Sequence, residues 1–309
     1  LAKAGLLVRP RWAWHDEYVV KIRKLMLPAL FGVSVSQINL LLDTVIASFL
    51  QTGSVSWLYY SDRLLEFPLG LFGIAIATVI LPSLSRQYAN SNIHEFRGTV
   101  DWSITLICLL GLPSMAGLIV LAEPILLTVF AHGRFTAFDA SQSSLSLIAY
   151  ASGLVPLMLI KVLAPAFYAR QDVKTPVRIG IVAMVANMVF NLMLAPFISY
   201  VGLALATAMS GALNAWLLYQ GLKKAEIYQL SKQTLWIIAK AAVAAAAMAG
   251  LIYWLLPPIS AFASMAFSQR GLWLAGLFAA AVPTYFALLW LFGVRISDIK
   301  RHTVAESLR

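Results

Sequence analysis

Asp62, Arg63 and Glu66 stand within five positions of one another in the run WLYYSDRLLEFPLG, residues 57–70. On a helix, Asp62 and Glu66 share a face four apart, and Arg63 and Glu66, three apart, can pair. The run passes into FPLGLFGIAIATVILP, so these charges sit where a helix enters or crosses a membrane. Charges at that depth are costly unless they face a bundle interior or a wet cavity. In such a cavity an arginine is the natural ligand for phosphate, through its bidentate fork. The two carboxylates would hold its side chain and offset its charge while the cavity is empty. The bland alternative is a self-neutralising cluster that anchors the helix at the interface; the functional reading is the stronger. Pro68 and Gly70 just beyond weaken the helix and could supply a bend.

A quieter set surrounds Asp43, a lone carboxylate inside LMLPALFGVSVSQINLLLDTVIASFL (25–50), which also carries Gln37 and Asn39. Asn187 and Asn191 are four apart on one helical face further along, and Thr207 lies in the next apolar run. Together they would form an oxygen-rich, singly negative pocket suited to a hard monovalent cation such as sodium, or Asp43 could carry a proton. Spacing alone favours the plainer reading, in which Asn and Thr bond between helices as structural glue. Lys161, within LMLIKVLAPAFY, is either a further functional cation or a lysine snorkelling to the nearby boundary, and snorkelling is favoured.

The sequence holds no phosphate-cradling glycine loop, metal-spaced Cys/His cluster or nucleophile elbow. His15, His94, His132 and His302 fall in separate expected loops, and Cys108 is the single cysteine. No hydrolytic or metal-dependent active site is expected.

The elements that must position these residues follow from composition. The 309 residues are 61% hydrophobic and 12% charged, about half the charge of a soluble domain, and the mean hydropathy is +0.81. Long uncharged runs approach the roughly 20 residues that span a bilayer. The expected fold is therefore an all-α polytopic membrane bundle of eight transmembrane helices, at about 25–50, 55–84, 102–122, 141–168, 177–195, 201–222, 234–256 and 271–293. EPILLTVFA, after the third, reads as a short interfacial helix, and the fifth and sixth meet at a tight turn around Pro196. Trp57, Trp102, Trp254 and Trp290 read as interface anchors. The run AAVAAAAMAG (241–250) permits close packing or leaves an apolar groove.

Alternate loops differ sharply in charge. Eighteen of the 23 Lys and Arg residues lie on one side, and only Arg134 and Arg270 on the other. Cytoplasmic loops are the basic ones, so both ends of the chain are expected in the cytoplasm. The net charge of +10 is then topological and points to no nucleic-acid partner.

The runs SVSWLYYSDRLLEFPLGLFGIAIATVILPSLS (54–85) and KVLAPAFYARQDVKTPV (161–177) closely resemble the lipid II flippases of the MurJ/MviN family. PALFGVSVSQINLLLDTVIASFL (28–50) and GRFTAFDA (133–140) support the resemblance, which covers nearly the whole chain. It implies the C-terminal portion of a multidrug/oligosaccharidyl-lipid/polysaccharide (MOP) exporter-type fold. Residues 1–24 would be a basic cytoplasmic or interfacial segment, 25–222 the second six-helix lobe, and 223–309 two additional helices with a basic tail. The first lobe would be absent, in keeping with a chain that opens on Leu1.

The implied activity is movement of lipid II, the lipid-linked peptidoglycan precursor, from the inner to the outer leaflet of the bacterial cytoplasmic membrane by alternating access. Lipid II, membrane lipids and the N-terminal lobe are the implied partners. Arg63 matches a cavity arginine, and Asp62 and Glu66 match its acidic neighbours. The extra helices match a pair whose groove takes the polyprenyl tail. Asp43, Asn187, Asn191 and Thr207 match the positions at which some members bind sodium, which turns the balance modestly towards a coupling ion. No other cofactor is implied. Asn191 stands where a sodium-binding relative has a second carboxylate, which leaves protons or membrane potential as alternative drives. The alternatives to a lipid II flippase are a related exporter of another lipid-linked sugar or a drug, and a non-transporting scaffold for cell-wall synthesis.

Overall fold

In hydrocarbon every backbone polar group must bond within its own segment, and the long apolar runs fold accordingly. The computed structural model describes residues 14–294, with the backbone alone at 21, 23–25 and 27–36. In chain order the helices are α1 (Glu17–Ser48), α2 (Ser54–Pro68), a π-helical stretch (Leu69–Ile74), α3 (Ala75–Ala89), α4 (Ile93–Val120), α5 (Ala122–Val129) and α6 (Ala137–Ala151). They continue as α7 (Leu154–Tyr168), α8 (Lys174–Lys224), α9 (Lys232–Leu255), α10 (Ile259–Ser264) and α11 (Phe267–Leu291). The described residues contain no strand.

Among the described residues five helical runs are long and apolar enough to cross a membrane, or six if α6 and α7, bent by 42°, form one span. Reaching the eight expected would also require counting α1 and dividing α8. The latter does break: Ile198 and Ser199 leave helical geometry, with Ser199 at φ 53°, just past Pro196. Gly202 lets the two halves fold back on each other, since a Cβ there would lie 2.8 Å from the Leu194 carbonyl carbon.

Pro68 produces a different result from the expected bend. Lacking an N–H, it cannot bond the carbonyl four residues back. The chain widens into the π-helical stretch and then continues, making Ser54–Ala89 one 36-residue helix.

Other boundaries moved for local reasons. α1 begins at Glu17, earlier than 25, because the Asp16 side chain accepts from the Tyr18 amide and caps it. Residues 1–13 of the expected basic segment, and 295–309 with His302, lie outside the described residues. α5 is short as expected, yet Leu126 and Leu127 are buried in a core shared with α9 and α11. Trp57 is no interface anchor. It is 3% exposed, packs against Tyr200 with ring centres 4.9 Å apart and tilted by 57°, and donates its indole N–H to Asp139 at 2.9 Å.

The core forms two clusters. One joins α2, α3, α4, α6, α7 and α8 around Phe96, Ile107, Met158 and Phe167. The other joins α5, α9, α10 and α11 around Leu126, Ala244, Phe262 and Tyr285. The alanine-rich run serves close packing, with Ala241 and Ala244 fully buried as α9 lies along α4. An open apolar groove lies between the end of α9 and α11, lined by Leu255, Leu272, Trp273 and Gly276.

Asp101 on α4 ties these halves together. Its carboxylate accepts from Tyr228 Oη at 2.5 Å, Ser231 Oγ at 3.1 Å and Thr234 Oγ1 at 2.5 Å. One turn earlier, Arg97 donates to the Glu226 and Ile227 carbonyls at 2.5 and 2.7 Å. Burial, and the carboxylate it faces, push the Tyr228 phenol above its ordinary range, so it stays protonated and donates. Asp101→Ala would strand two buried hydroxyl donors, each costing about 1–3 kcal/mol. A clear fall in the thermal unfolding midpoint of the purified protein is the expected result, with Asp101→Asn intermediate.

Candidate functional site

The polar residues of three apolar runs meet. Asp43 on α1 accepts from Asn191 Nδ2 at 2.6 Å, although the two are 148 positions apart. The same nitrogen reaches Asn187 Oδ1 at 3.1 Å. Asn187 Nδ2 in turn contacts Thr207 Oγ1 and Ser210 Oγ, both at 3.4 Å. The fold-back at Ile198–Ser199 makes this possible, since it sets Asn187 and Asn191 in the first half of α8 against Thr207 and Ser210 in the second. All four residues of the expected cation set are therefore brought together, with Asn187 2% and Asn191 0% exposed.

Two carbonyl oxygens in this region have no hydrogen-bond partner among the described residues although they are buried: Asn191 Oδ1, and Asn39 Oδ1 one helical turn before Asp43. Buried polar groups are ordinarily satisfied. A carboxylate, hydroxyls and orphaned amide oxygens are the donor types that a hard monovalent cation uses, and all of them are present here. In the geometry observed Asn191 turns its nitrogen to Asp43, so a cation there would need the amide turned end for end.

The Arg63 group lies apart from this chain. Arg63 Nη1 meets Glu66 Oε2 at 2.6 Å, with the two side chains 48% and 50% exposed. The guanidinium also lies over the Tyr59 ring, 4.9 Å from its centre, a cation–π contact that orients the fork. Asp62, next to Arg63 on α2, makes no hydrogen bond or ion pair among the described residues. Behind it, Ser61 bonds the Ser143 carbonyl at 2.7 Å and Ser146 Oγ at 2.8 Å, fixing α2 to α6.

Two participants were not anticipated, and a third, Asn39, is marked by the sequence only as a polar residue of its run. Ser210 follows Thr207 by three positions, and Tyr59 precedes Arg63 by four; both spacings are legible on a helix. Asn39 precedes Asp43 by four and reads equally well. Among the described residues no three His, Cys, Asp or Glu side chains gather as a metal cluster.

A long-helix bundle with charged and amide side chains inside its apolar runs is a multi-pass membrane protein. Residues 1–271 match the family model described as "Lipid II flippase MurJ". The chain is 58% identical over 303 residues to the "Probable lipid II flippase MurJ" of Vibrio cholerae, covering 98% of this chain and 58% of that protein. A Haemophilus influenzae protein of the same description is 58% identical over 313 residues, covering 99% and 60%. The "Lipid II flippase MurJ" of Burkholderia cenocepacia is 38% identical over 304 residues, covering 95% and 57%. A solved structure, "Lipid II flippase MurJ, inward closed conformation", matches in fold with a TM-score of 0.74 at 23% identity, over 98% of this chain and 59% of that one. The chain belongs to the MurJ family. It spans somewhat under two thirds of the length of these relatives.

Proposed function

We propose that the chain is the second lobe and the following helix pair of a lipid II flippase, working with a first lobe by alternating access in the bacterial inner membrane. The membership of the MurJ family supports the substrate class, and the exposed Arg63 fork is the single observation that carries the chemistry. Held by Glu66 and stacked on Tyr59, the guanidinium stays oriented with donors left over for a phosphate oxygen. An arriving pyrophosphate competes with Glu66 for those donors, and the released carboxylate is left to water. The groove between α9 and α11 suits an apolar chain attached to such a headgroup. Both ends of the chain lie in the cytoplasm on this reading, as the basic loops require.

The Asp43–Asn191–Asn187 chain supplies the coupling site. Asp43, Asn191, Asn187, Thr207 and Ser210 would hold sodium, which contributes a positive charge that neutralises Asp43. A cationic headgroup contact separates this reading from a drug exporter, whose cavity would be dominated by acids.

Reconstitution of the full-length protein in liposomes tests the activity. Labelled lipid II should change leaflet and be recovered chemically intact. A cleaved or modified product would make the protein an enzyme, and lipid that stays in its leaflet would leave only a scaffold.

A further inference from the structure

The motif GRFTAFDA (133–140) belongs to neither the Arg63 group nor the Asp43 chain, yet it grips the helix that carries Arg63. Gly133 turns the chain at φ 64°. Thr136 and Asp139 then close a capping box that starts α6, the Thr136 amide and Oγ1 both donating to Asp139 Oδ2, at 2.8 and 2.7 Å. The cap uses one carboxylate oxygen. The other, Oδ1, accepts the indole N–H of Trp57 on α2 at 2.9 Å, 82 positions back along the chain.

Three segments build a socket for that indole. Phe138 meets it edge-on with ring centres 6.0 Å apart, and Tyr200, the residue after Ser199, packs on it at 4.9 Å. Tyr200 is held in turn by Gln142, to whose Oε1 its Oη donates at 2.8 Å. At the entry to α2, Gly53 takes φ 105°, and a Cβ there would lie 2.6 Å from Trp57 Cζ2. Only glycine suits both that backbone and that closeness.

The socket fixes how α2 is turned about its axis. Ser54, Trp57, Leu58, Ser61 and Leu65 are buried on one face, while Tyr59, Arg63 and Glu66 are exposed on another. Arg63 lies roughly 240° round the helix from Trp57 and about 9 Å further along it. Apolar contacts are non-directional and resist rotation weakly. The directional holds on the buried face are Trp57 to Asp139, and Ser61 to the Ser143 carbonyl and Ser146 Oγ.

We infer that Asp139 is a positioning residue for the headgroup contact: through the Trp57 indole it sets the rotation of α2, and with it the direction of the Arg63 fork. This rests on the flippase reading above. A bidentate fork acts through its geometry, so a loosened α2 should cost headgroup affinity and not stability alone.

The test measures lipid II binding to the purified full-length protein, with the thermal unfolding midpoint taken on the same samples. Asp139→Ala should weaken binding roughly tenfold, short of the hundredfold that a misplacement of about 1 Å can cost at a reacting centre. Trp57→Phe, which keeps a ring in the socket but has no N–H, should do the same, and it carries the test if Asp139→Ala does not fold. Asp139→Asn, whose amide oxygen still accepts from the indole, should keep most of the affinity. Thr136→Ala weakens the cap but spares the indole bond, so it should lower the unfolding midpoint and leave binding unchanged. The decisive comparison is the Arg63→Lys background. An ammonium has no plane to orient, so Asp139→Ala and Trp57→Phe should there cost about twofold or less.

Equal losses in both backgrounds would make the socket a support of the fold only, and would overturn the inference. So would normal binding by folded Asp139→Ala or Trp57→Phe, a loss in Asp139→Asn as large as in Asp139→Ala, or an equal loss in Thr136→Ala. Arg63→Ala measured alongside separates the two levels. If it binds weakly while Asp139→Ala binds normally, the flippase reading stands and the positioning role alone is lost. If Arg63→Ala binds as tightly as the unsubstituted protein, the reading beneath both is lost.

Discussion

Arg63→Ala in the full-length protein is expected to abolish growth of a strain depleted of its own flippase, with the variant present in the membrane at normal abundance. The separation between activity and abundance follows from exposure. The Arg63–Glu66 pair has half of each side chain open, and exposed pairs contribute little to stability. Removing the guanidinium should leave the bundle intact, because α2 is held to α6 by Ser61, Ser143 and Ser146 and by the buried Trp57. Loss of charged donors to a phosphate, by contrast, lowers headgroup affinity on the order of ten- to a hundredfold. Arg63→Lys should recover only part of the loss, since an ammonium keeps the charge but not the bidentate fork stacked on Tyr59. Growth with Arg63→Ala equal to that of the unsubstituted protein would favour a scaffold that binds partners through other surfaces.

The second large effect is expected at Asp43. Asp43→Asn preserves shape and can still accept from Asn191, so the three-helix contact should survive while the one formal charge of the pocket is gone. Transport should fall roughly tenfold or more, and its response to sodium should flatten. Asp43→Ala differs in kind. It leaves Asn191, already with an unpartnered Oδ1, without its Nδ2 contact to α1, at a cost of about 1–3 kcal/mol. That variant should lose thermal stability as well as transport. Normal transport by Asp43→Asn across all sodium concentrations would reduce the chain of amides to structural glue between α1 and α8.

The sequence disclosed these residues more readily than their meeting. Apolar runs bounded by polar loops must be helices in hydrocarbon, and the i, i+3 spacing of Arg63 and Glu66 predicts the pair observed. Asp43 and Asn191 could be named one by one as misplaced polar residues. Their contact depends on how α8 folds back at Ile198–Ser199, a tertiary event that spacing does not encode. Trp57 shows the converse error. Its place near a helix start suggested an interface anchor, but its indole bonds Asp139, 82 positions away, and α6 covers it. Pro68 was legible as an irregularity, while the outcome is a widened turn in a helix that carries on, and local spacing does not choose between a bend and a widening.

The central claim is most directly tested by the sidedness of lipid II in living cells. An externally added enzyme that cleaves lipid II reaches only the outer leaflet. When the full-length protein is depleted, or replaced by Arg63→Ala, lipid II should accumulate and become resistant to that enzyme before growth stops. Lipid II that remains as cleavable as in undepleted cells would contradict the account.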